Sequence, residues 1–420
     1  MPGDKSVSHR AALLGALAEG VSEVQGFLEA EDCLRTITAV QALGAEVTRK
    51  GPGHYRIAGG GLRGLSEPGD VIDCGNSGTT ARLLAGVLGT QPFWTMLTGD
   101  ASLRRRPMGR IAEPLRAMGA TIVGRAEGTR LPLAIRGTGL ARAIQYATPV
   151  ASAQVKSAIL LAGLVAEGPV TVTEPAPSRD HSERMLRRFG ARVVTEGRMV
   201  TLTPGPLRAA SVAVPGDISS AAFLLVAGAV VGEGRVTLRR VGVNPTRTGI
   251  LDVLAAMGAQ IQTAEAADEG EPTASLTVTA GALKATTIGG TLLIPRLIDE
   301  IPVFAVAAAA AAGVSVVRDA GELRVKESDR IAALARELAR MGAVVEERPD
   351  GMVITGGRRL RGAAVNSGGD HRMAMALTVA ALIADGETVI DDVACVATSF
   401  PTFAEIVNTL AGTTAITAEP

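Results

Sequence analysis

An α/β protein of two similar domains, each made of three repeated units, is the architecture this sequence predicts, and three observations predict it. The first is a phrase in which a helical pattern ends on Gly-Ala and runs into a strand. It reads ALGAEV, AMGATIV, RFGARVV, AMGAQIQ and RMGAVVE, at Gly44, Gly119, Gly190, Gly258 and Gly342, with a weaker sixth copy, NTLAGTTAI, at Gly412. The second is an out-of-phase phrase, an Ala-rich helix stopping at Gly before a Val/Thr strand: AEGVSEV, LGTQPFWTML, AEGPVTV, GEGRVTL, AAGVSVV and ADGETVI. Together they define a unit of about 70 residues that runs helix, Gly stop, strand, helix, Gly-Ala stop, strand. Glycine supplies the left-handed conformation that ends each helix. The third observation is composition: 47% hydrophobic, 20% charged and 2% aromatic residues describe a globular chain whose cores are filled by Ala, Leu and Val. The period is too long for a solenoid, so two globular domains fit, with a boundary near VAVPGDISSAA (212 to 222).

The same composition excludes function classes. Lys plus Arg and Asp plus Glu both number 42, so no bulk positive field recruits nucleic acid, and the few aromatics leave little for base stacking. Cys33, Cys74 and Cys395 are far apart and lack a zinc-ligand spacing; they read as small residues in a reducing compartment, and no metal is expected. No signal segment opens the chain, and the apolar run VFAVAAAAAAGVSVV is too short to span a bilayer, so a soluble cytoplasmic protein is expected.

Motifs that occur once, rather than in every unit, are the candidates for chemistry. PGDKSVSHR places Lys5, Ser6 and Arg10 at a helix start, as an anion site or an ordinary cap. DCGNSGTTARLL sets Asn76 and Gly78 in a small-residue turn where amides can converge on a ligand oxygen, with Arg82 one turn further in. LTGDASLRRRPMG holds three arginines, a solvated loop unless one, Arg106 beside Pro107, clamps a carboxylate. VASAQVKSAILLAGL opens a buried helix with Ser152, Ala153 and Gln154, and Lys156 follows; it is a neutral anion site or a Ser cap. PAPSRDHSERMLRRFG offers Ser178, Arg179 and His181, and GGDHRMAMAL puts Asp370, His371 and Arg372 against an apolar helix. RVKESDR (324 to 330) is either a solvated helix start or a site. With Asp299 from LIDEIPVF, its Lys326, Glu327 and Arg330 supply two carboxylates and a lysine among arginines, the set that proton transfer on an anionic substrate needs. If the helices of each domain run parallel, these starts converge, and a small, multiply anionic ligand is expected.

PGDKSVSHR, GNSGTTARLL, RRRPMG, ASAQVKSA, RVKESDR and DHRMAMAL, in this order over nearly the whole chain, resemble the 5-enolpyruvylshikimate-3-phosphate synthase family of enolpyruvyl transferases. The resemblance implies two domains of three βαβαββ units, with parallel helices and four-stranded sheets, around a hinged inter-domain cleft. It implies a first domain, 3–214, binding mainly shikimate 3-phosphate. A second, 215–420 with residues 1–2, would contribute catalytic and phosphoenolpyruvate-binding residues. It also implies transfer of the enolpyruvyl group of phosphoenolpyruvate to the 5-hydroxyl of shikimate 3-phosphate by addition and elimination, without metal or organic cofactor. Carried over by motif, Lys5, Asn76, Gly78, Arg106, Gln154, Arg330 and Arg372 would bind phosphoenolpyruvate. Lys5, Ser6, Arg10, Ser152, Ala153, Gln154, Ser178, Arg179, Asp299 and Lys326 would bind shikimate 3-phosphate. Asp299 would be the base, Glu327 the acid, and Lys5 the stabiliser of oxygen charge.

Glyphosate is expected to inhibit, because Gly78 leaves room for it, and the working form is expected to be a monomer. Relative to the enteric and plant pattern of the family, Ala153 stands for a serine, His181 for a tyrosine, Glu322 for an asparagine, Leu83 for a proline and Thr398 for a lysine. Only Met1 and Pro2 precede Gly3-Asp4-Lys5-Ser6, where the family has a further strand. UDP-N-acetylglucosamine enolpyruvyl transferase is the nearest rival, but it typically has Lys-Asn at the start and a cysteine in a mobile loop. A non-catalytic anion binder and an RNA-end-processing relative are the rivals from other classes. The intact Lys326-Glu327 pair weighs against the first and the neutral charge against the second.

Overall fold

Helices that are apolar on every side must be buried on every side, and this chain has many. Lys5–Leu17, Gly78–Leu88, Ala153–Gly163, Ile218–Val230, Ile301–Ala310 and His371–Ala381 are enclosed over nearly their whole length. A second set carries polar residues on an outer face: Glu31–Ala42, Gly109–Ala117, His181–Arg188, Gly249–Ala256, Arg330–Arg340 and Phe403–Ala411. The two kinds alternate along the sequence, with a short strand between them. These assignments come from a computed structural model, which describes residues 1–268 and 270–417.

The chain divides into two compact units: Gly3–Val214 with Glu269–Glu271, and Met1–Pro2 with Pro215–Asp268 and Pro272–Pro420. Each has its own apolar core, one running from Val7 to Val214 and the other from Ile218 to Val407.

In the first unit three sheets share one pattern. Ile72–Asp73 pairs parallel with Thr95–Thr98, which pairs antiparallel with Leu133–Arg136, which pairs antiparallel with Thr121–Gly124. Gln145–Ala147, Val170–Thr173, Met199–Thr203 and Arg192–Glu196 repeat the order. In the third, Leu207–Arg208 and Ser211–Ala213 together take the parallel place beside Ala18–Gln25, followed by His54–Gly60 and Glu46–Gly51. A parallel pair needs a crossover, and in the first two sheets a buried helix supplies it. Residues 133–136 and 170–173 alternate buried and more exposed positions, one face toward the helices and one toward water.

The second unit repeats the four-strand pattern once, in Thr287–Ile288, Val314–Val317, Gly351–Thr355 and Val344–Arg348. The expectation of four-stranded sheets throughout is corrected elsewhere. Arg235–Gly242, Pro272–Thr279 and Gln260–Asp268 make a three-stranded sheet, and among the described residues the last repeat has only the pairs Leu360–Arg361 with Ala384–Asp385 and Ala364–Asn366 with Val389–Asp391. No strand follows Gly412 among the described residues, so the sixth Gly-Ala phrase ends its helix without starting a strand. Three residues after the glycine each strong copy has Val or Ile (Val47, Ile122, Val193, Ile261, Val345), whereas this one has Ala415. The five strong copies behave alike: their glycines sit at φ between +88° and +105°, a conformation that a side chain would strain. The out-of-phase phrase is less uniform, since Gly89 ends its helix at φ −61°.

Alanine and glycine let the buried helices approach closely. A Cβ built on Gly86 would lie 2.3 Å from the Ala158 carbonyl oxygen and 2.7 Å from its Cα, so Gly78–Leu88 and Ala153–Gly163 touch through backbone. Gly86→Ala is therefore expected to force the two helices apart and destabilise the protein by about 1–3 kcal/mol. A shifted urea-unfolding midpoint would register this; an unchanged midpoint would contradict it.

Candidate functional site

That helix contact brings two of the singled-out motifs together in the first unit. Arg82, one turn into Gly78–Leu88, donates from Nη1 to Gln154 Oε1 (3.1 Å) and from Nη2 to the Pro107 carbonyl (3.1 Å). Gln154 Nε2 donates to Thr79 Oγ1 at 3.0 Å. Arg106 Nη2 donates to Asn76 Oδ1 (2.6 Å), and Asn76 Nδ2 to Asp100 Oδ2 (2.7 Å). The Arg104-Arg105-Arg106 loop thus turns only its last member inward; Arg106 is buried, Arg105 exposed. Position 78 is tight, because a Cβ there would lie 2.5 Å from Arg82 Nη1 and 3.2 Å from Arg106 Nη1.

Lys5 opens the first helix, whose cap Asp4 accepts from the Val7 amide (2.9 Å), and its Nζ pairs with Asp32. Behind it, buried His9 Nδ1 meets Thr36 Oγ1 at 2.7 Å, Thr36 meets Thr80 Oγ1 at 2.7 Å, and Thr80 donates to Ser77 Oγ at 2.7 Å. Burial, aided by Lys5 and Arg10, holds the His9 pKa well below its usual value, so the imidazole is neutral at pH 7. This chain of hydroxyls ties the helix carrying Lys5 to the turn carrying Gly78.

Arg10 is buried, which pushes its pKa down to about 10 against the pull of Glu183 and Asp4, so it stays charged. It donates from Nε to Ser182 Oγ (2.7 Å), from Nη1 to the Ser6 carbonyl (3.0 Å) and from Nη2 to Ser157 Oγ (2.8 Å). Ser152 caps Ala153–Gly163, Ser178 donates to Glu174 Oε2 (2.9 Å), and His181 Nδ1 pairs with Glu271 Oε1 at 2.7 Å. Ala153 and Arg179 are partly exposed beside them.

In the second unit RVKESDR proves to be both a helix start and a charged cluster. Asp329 caps Arg330–Arg340 by accepting from the Ala332 amide (3.1 Å), and Arg324 pairs with it at 2.8 Å. Arg330 is 1% exposed and points the other way. Four of its five N–H donors meet carboxylates: Nε and Nη2 on Asp370 (2.8 and 3.1 Å), Nη2 on Glu327 Oε2 (2.7 Å) and Nη1 on Asp299 Oδ1 (3.4 Å). Burial alone would lower its pKa, but the Asp370 and Glu327 carboxylates outweigh it and raise the value. Asp299, between the helices Ile294–Leu297 and Ile301–Ala310, also has Lys326 Nζ at 3.6 Å and Arg372 Nη2 at 3.8 Å. Arg372 Nη1 donates to the Asp299 carbonyl at 3.2 Å. Asp370 caps His371–Ala381 through the Arg372 amide (2.9 Å) and accepts from Ser328 Oγ (2.9 Å). Thr398 Oγ1 donates to the Cys395 carbonyl (2.7 Å) and lies 3.4 Å from His371 Nδ1.

The expected residues therefore gather in two clusters, each described within its own unit. Asp32 and Glu174 were not among the expected residues, and Arg82 and Asp370 were singled out in their motifs without a ligand to bind, yet each of the four holds an expected site residue in place. Only Arg82 and Asp370 carried a sequence signal, by lying inside GNSGTTAR and GGDHR. Among the described residues no group of three or more His, Cys, Asp or Glu side chains gathers as a metal site, and no helix is long and apolar enough to cross a membrane.

A family model described as EPSP synthase (3-phosphoshikimate 1-carboxyvinyltransferase) matches residues 1–407. The 3-phosphoshikimate 1-carboxyvinyltransferase of Gloeobacter violaceus is 59% identical over 96% of this chain and 94% of its own length. That of Desulforudis audaxviator is 54% identical over 98% and 96%. Among solved structures, EPSP synthase from Acinetobacter baumannii superposes with a TM-score of 0.86 at 46% identity, covering 97% of this chain and 94% of that one.

Proposed function

The chain belongs to the EPSP synthase family, and from that premise we propose how its residues divide the work of the reaction. The activity is that of a 3-phosphoshikimate 1-carboxyvinyltransferase in the shikimate pathway, which leads to aromatic amino acids. In the addition step the 5-hydroxyl oxygen of shikimate 3-phosphate bonds to C2 of phosphoenolpyruvate, the hydroxyl proton leaves, and C3 gains a proton. In the elimination step C3 gives up a proton and the C2–O bond to phosphate breaks.

One observation carries the assignment of roles: two carboxylates, Asp299 and Glu327, are held by a single buried guanidinium, Arg330. Asp299 is the base for the 5-hydroxyl and Glu327 the acid for C3, exchanging direction on elimination. Lys5 stabilises charge on the bridging and phosphate oxygens. Asn76, Gly78, Arg106, Gln154, Arg330 and Arg372 bind phosphoenolpyruvate with Lys5; Arg330 has one N–H beyond its carboxylate bonds for this. Ser6, Arg10, Ser152, Ala153, Gln154, Ser178, Arg179 and Lys326 bind shikimate 3-phosphate. The working form is a single chain in the cytoplasm. Two domains of three βαβαββ repeats are the finer architecture, supported by the shared sheet order in residues 3–214 and its full copy at 287–355.

Phosphate release from phosphoenolpyruvate tests this directly, with shikimate 3-phosphate or UDP-N-acetylglucosamine as acceptor. Release with the first alone is expected; release with the second alone, or with neither from folded protein, would overturn it. Glyphosate is expected to inhibit by taking the phosphoenolpyruvate place. In Gly78→Ala the added methyl must displace the Arg82 and Arg106 guanidinium ends, which are the far ends of long side chains rather than backbone. The inhibition constant for glyphosate is expected to rise about tenfold or more, roughly 1.4 kcal/mol, with a smaller rise in KM for phosphoenolpyruvate. An unchanged inhibition constant would refute this.

A further inference from the structure

Beneath the serines assigned to shikimate 3-phosphate lies a buried polar cluster that the reaction scheme leaves without a role: Lys156, Glu174 and Glu183, at 2%, 3% and 2% exposure. Its geometry follows from the sheet. Glu174 comes directly after the strand Val170–Thr173, whose register sets Thr173 opposite Ala147 on the parallel neighbour. The Thr148 amide donates to the Thr173 carbonyl at 2.9 Å, and the segment leaving Ala147 runs on to Ser152, the cap of Ala153–Gly163. The side chain at 174 therefore meets that helix start.

Its carboxylate is divided between three donors. Oε1 accepts from the Ser152 amide at 3.1 Å; Oε2 accepts from Lys156 Nζ at 2.7 Å and from Ser178 Oγ at 2.9 Å. Both phosphate serines thus depend on one carboxylate. Lys156 Nζ also meets Glu183 Oε1 at 2.8 Å. Burial alone would lower the lysine's pKa, but Glu183 and Glu174 outweigh it and hold the ammonium charged. That charge, together with the buried Arg10 guanidinium near Glu183, offsets the two carboxylates, which would otherwise repel an arriving phosphate. A serine hydroxyl has one proton. While Ser178 gives it to Glu174, only lone pairs face outward, and phosphate oxygens are acceptors too. Binding requires Ser178 to transfer its hydrogen bond to the phosphate while Glu174 keeps the Ser152 amide and Lys156.

We propose that Glu174 is a positioning residue for the phosphate of shikimate 3-phosphate: it anchors Ser152 and Ser178 together, and its hold on the Ser178 proton sets the affinity for that substrate alone. This rests on the assignment of Ser152 and Ser178 to shikimate 3-phosphate. The test uses the full chain and reads kcat, KM for each substrate, shikimate 3-phosphate affinity by calorimetry, and the thermal midpoint. Glu174→Ala is expected to raise KM and Kd for shikimate 3-phosphate about tenfold, with KM for phosphoenolpyruvate changed less than about twofold. Glu174→Gln keeps an acceptor for the Ser152 amide and frees the Ser178 proton, but turns its NH2 toward Lys156, which retains Glu183, so it recovers part of the loss. In a Ser178→Ala background the Glu174→Ala effect shrinks, because the two act as one unit. Glu174→Asp, too short to serve both serines, reads the same loss if the alanine variant does not fold.

If Ser152→Ala and Ser178→Ala leave shikimate 3-phosphate affinity unchanged, the assignment of the subsite itself fails. If they weaken it while Glu174→Ala does not, the role of Glu174 fails and the subsite stands. Equal rises in both KM values with a lowered thermal midpoint would also overturn the proposal, marking Glu174 as framework only.

Discussion

Glu327→Gln is expected to lower kcat by about 10²- to 10⁴-fold while leaving the affinity for both substrates close to that of the parent chain. Glutamine fills the same volume and still accepts from Arg330 Nη2, now 2.7 Å from the Glu327 carboxylate, so the cluster keeps its shape. It can neither deliver a proton to C3 nor take one back. Asp299→Asn is expected to act similarly, since its amide still accepts from Arg330 and Lys326 but cannot hold the hydroxyl proton. Single-turnover kinetics alongside equilibrium binding separate the two quantities. Near-parental turnover in either variant would sink the assignment of acid and base.

What the sequence displayed, and what it concealed, follows from how each feature is encoded. The repeat was legible because a helix that must stop needs glycine, and the same phrase recurs at Gly44, Gly119, Gly190, Gly258 and Gly342 with the same backbone conformation. Positions next to those stops, such as Val193 and Ile261, also carry strand-forming residues. The sixth copy misled because Gly412 matches the stop without the strand residues after it. Candidate site residues were legible where motif and rarity coincided, as in RVKESDR, whose Glu327 and Arg330 the structure does bring together. Their supports were not. Glu174 reads as an unremarked acid after a Val/Thr strand, and only the parallel register of Ala147 and Thr173 reveals that it reaches Ser152. Arg10 reads as a ligand-facing cation, whereas it also knits Ser6, Ser157 and Ser182 together.

A common physical cause runs through these supports. A fully buried helix cannot send its first amides into water, so its start must be met by a side chain or a ligand. Asp4, Ser77, Ser152, Asp217 and Asp370 meet part of that need in five of the six enclosed helices. The remaining amides and the helix dipole then favour an anion, in keeping with the candidate motifs that open the buried helices Lys5–Leu17, Gly78–Leu88, Ala153–Gly163 and His371–Ala381.

Asp370→Ala is expected to destabilise the protein by about 3–5 kcal/mol, because it leaves the buried Arg330 charge without its bidentate partner and strips the cap from His371–Ala381. Turnover should fall with it, since Arg330 and Arg372 are both placed by this one carboxylate. Asp370→Asn keeps acceptors for the Arg372 amide and one Arg330 N–H, so it should cost less. Acid titration distinguishes the charge from the hydrogen bonds. Burial pushes the Asp370 carboxyl up, but Arg330 outweighs it and holds the group below its usual range. A depressed folded-state pKa contributes stability that is fully present above the unfolded value of about 3.9 and is lost as pH falls through the folded value. Urea unfolding followed downward from about pH 5 should therefore show a weaker acid dependence in Asp370→Asn than in the parent chain. Parallel curves would mean that the carboxyl contributes through its hydrogen bonds alone, and an unchanged midpoint in Asp370→Ala would remove the buried pair from the account of stability altogether.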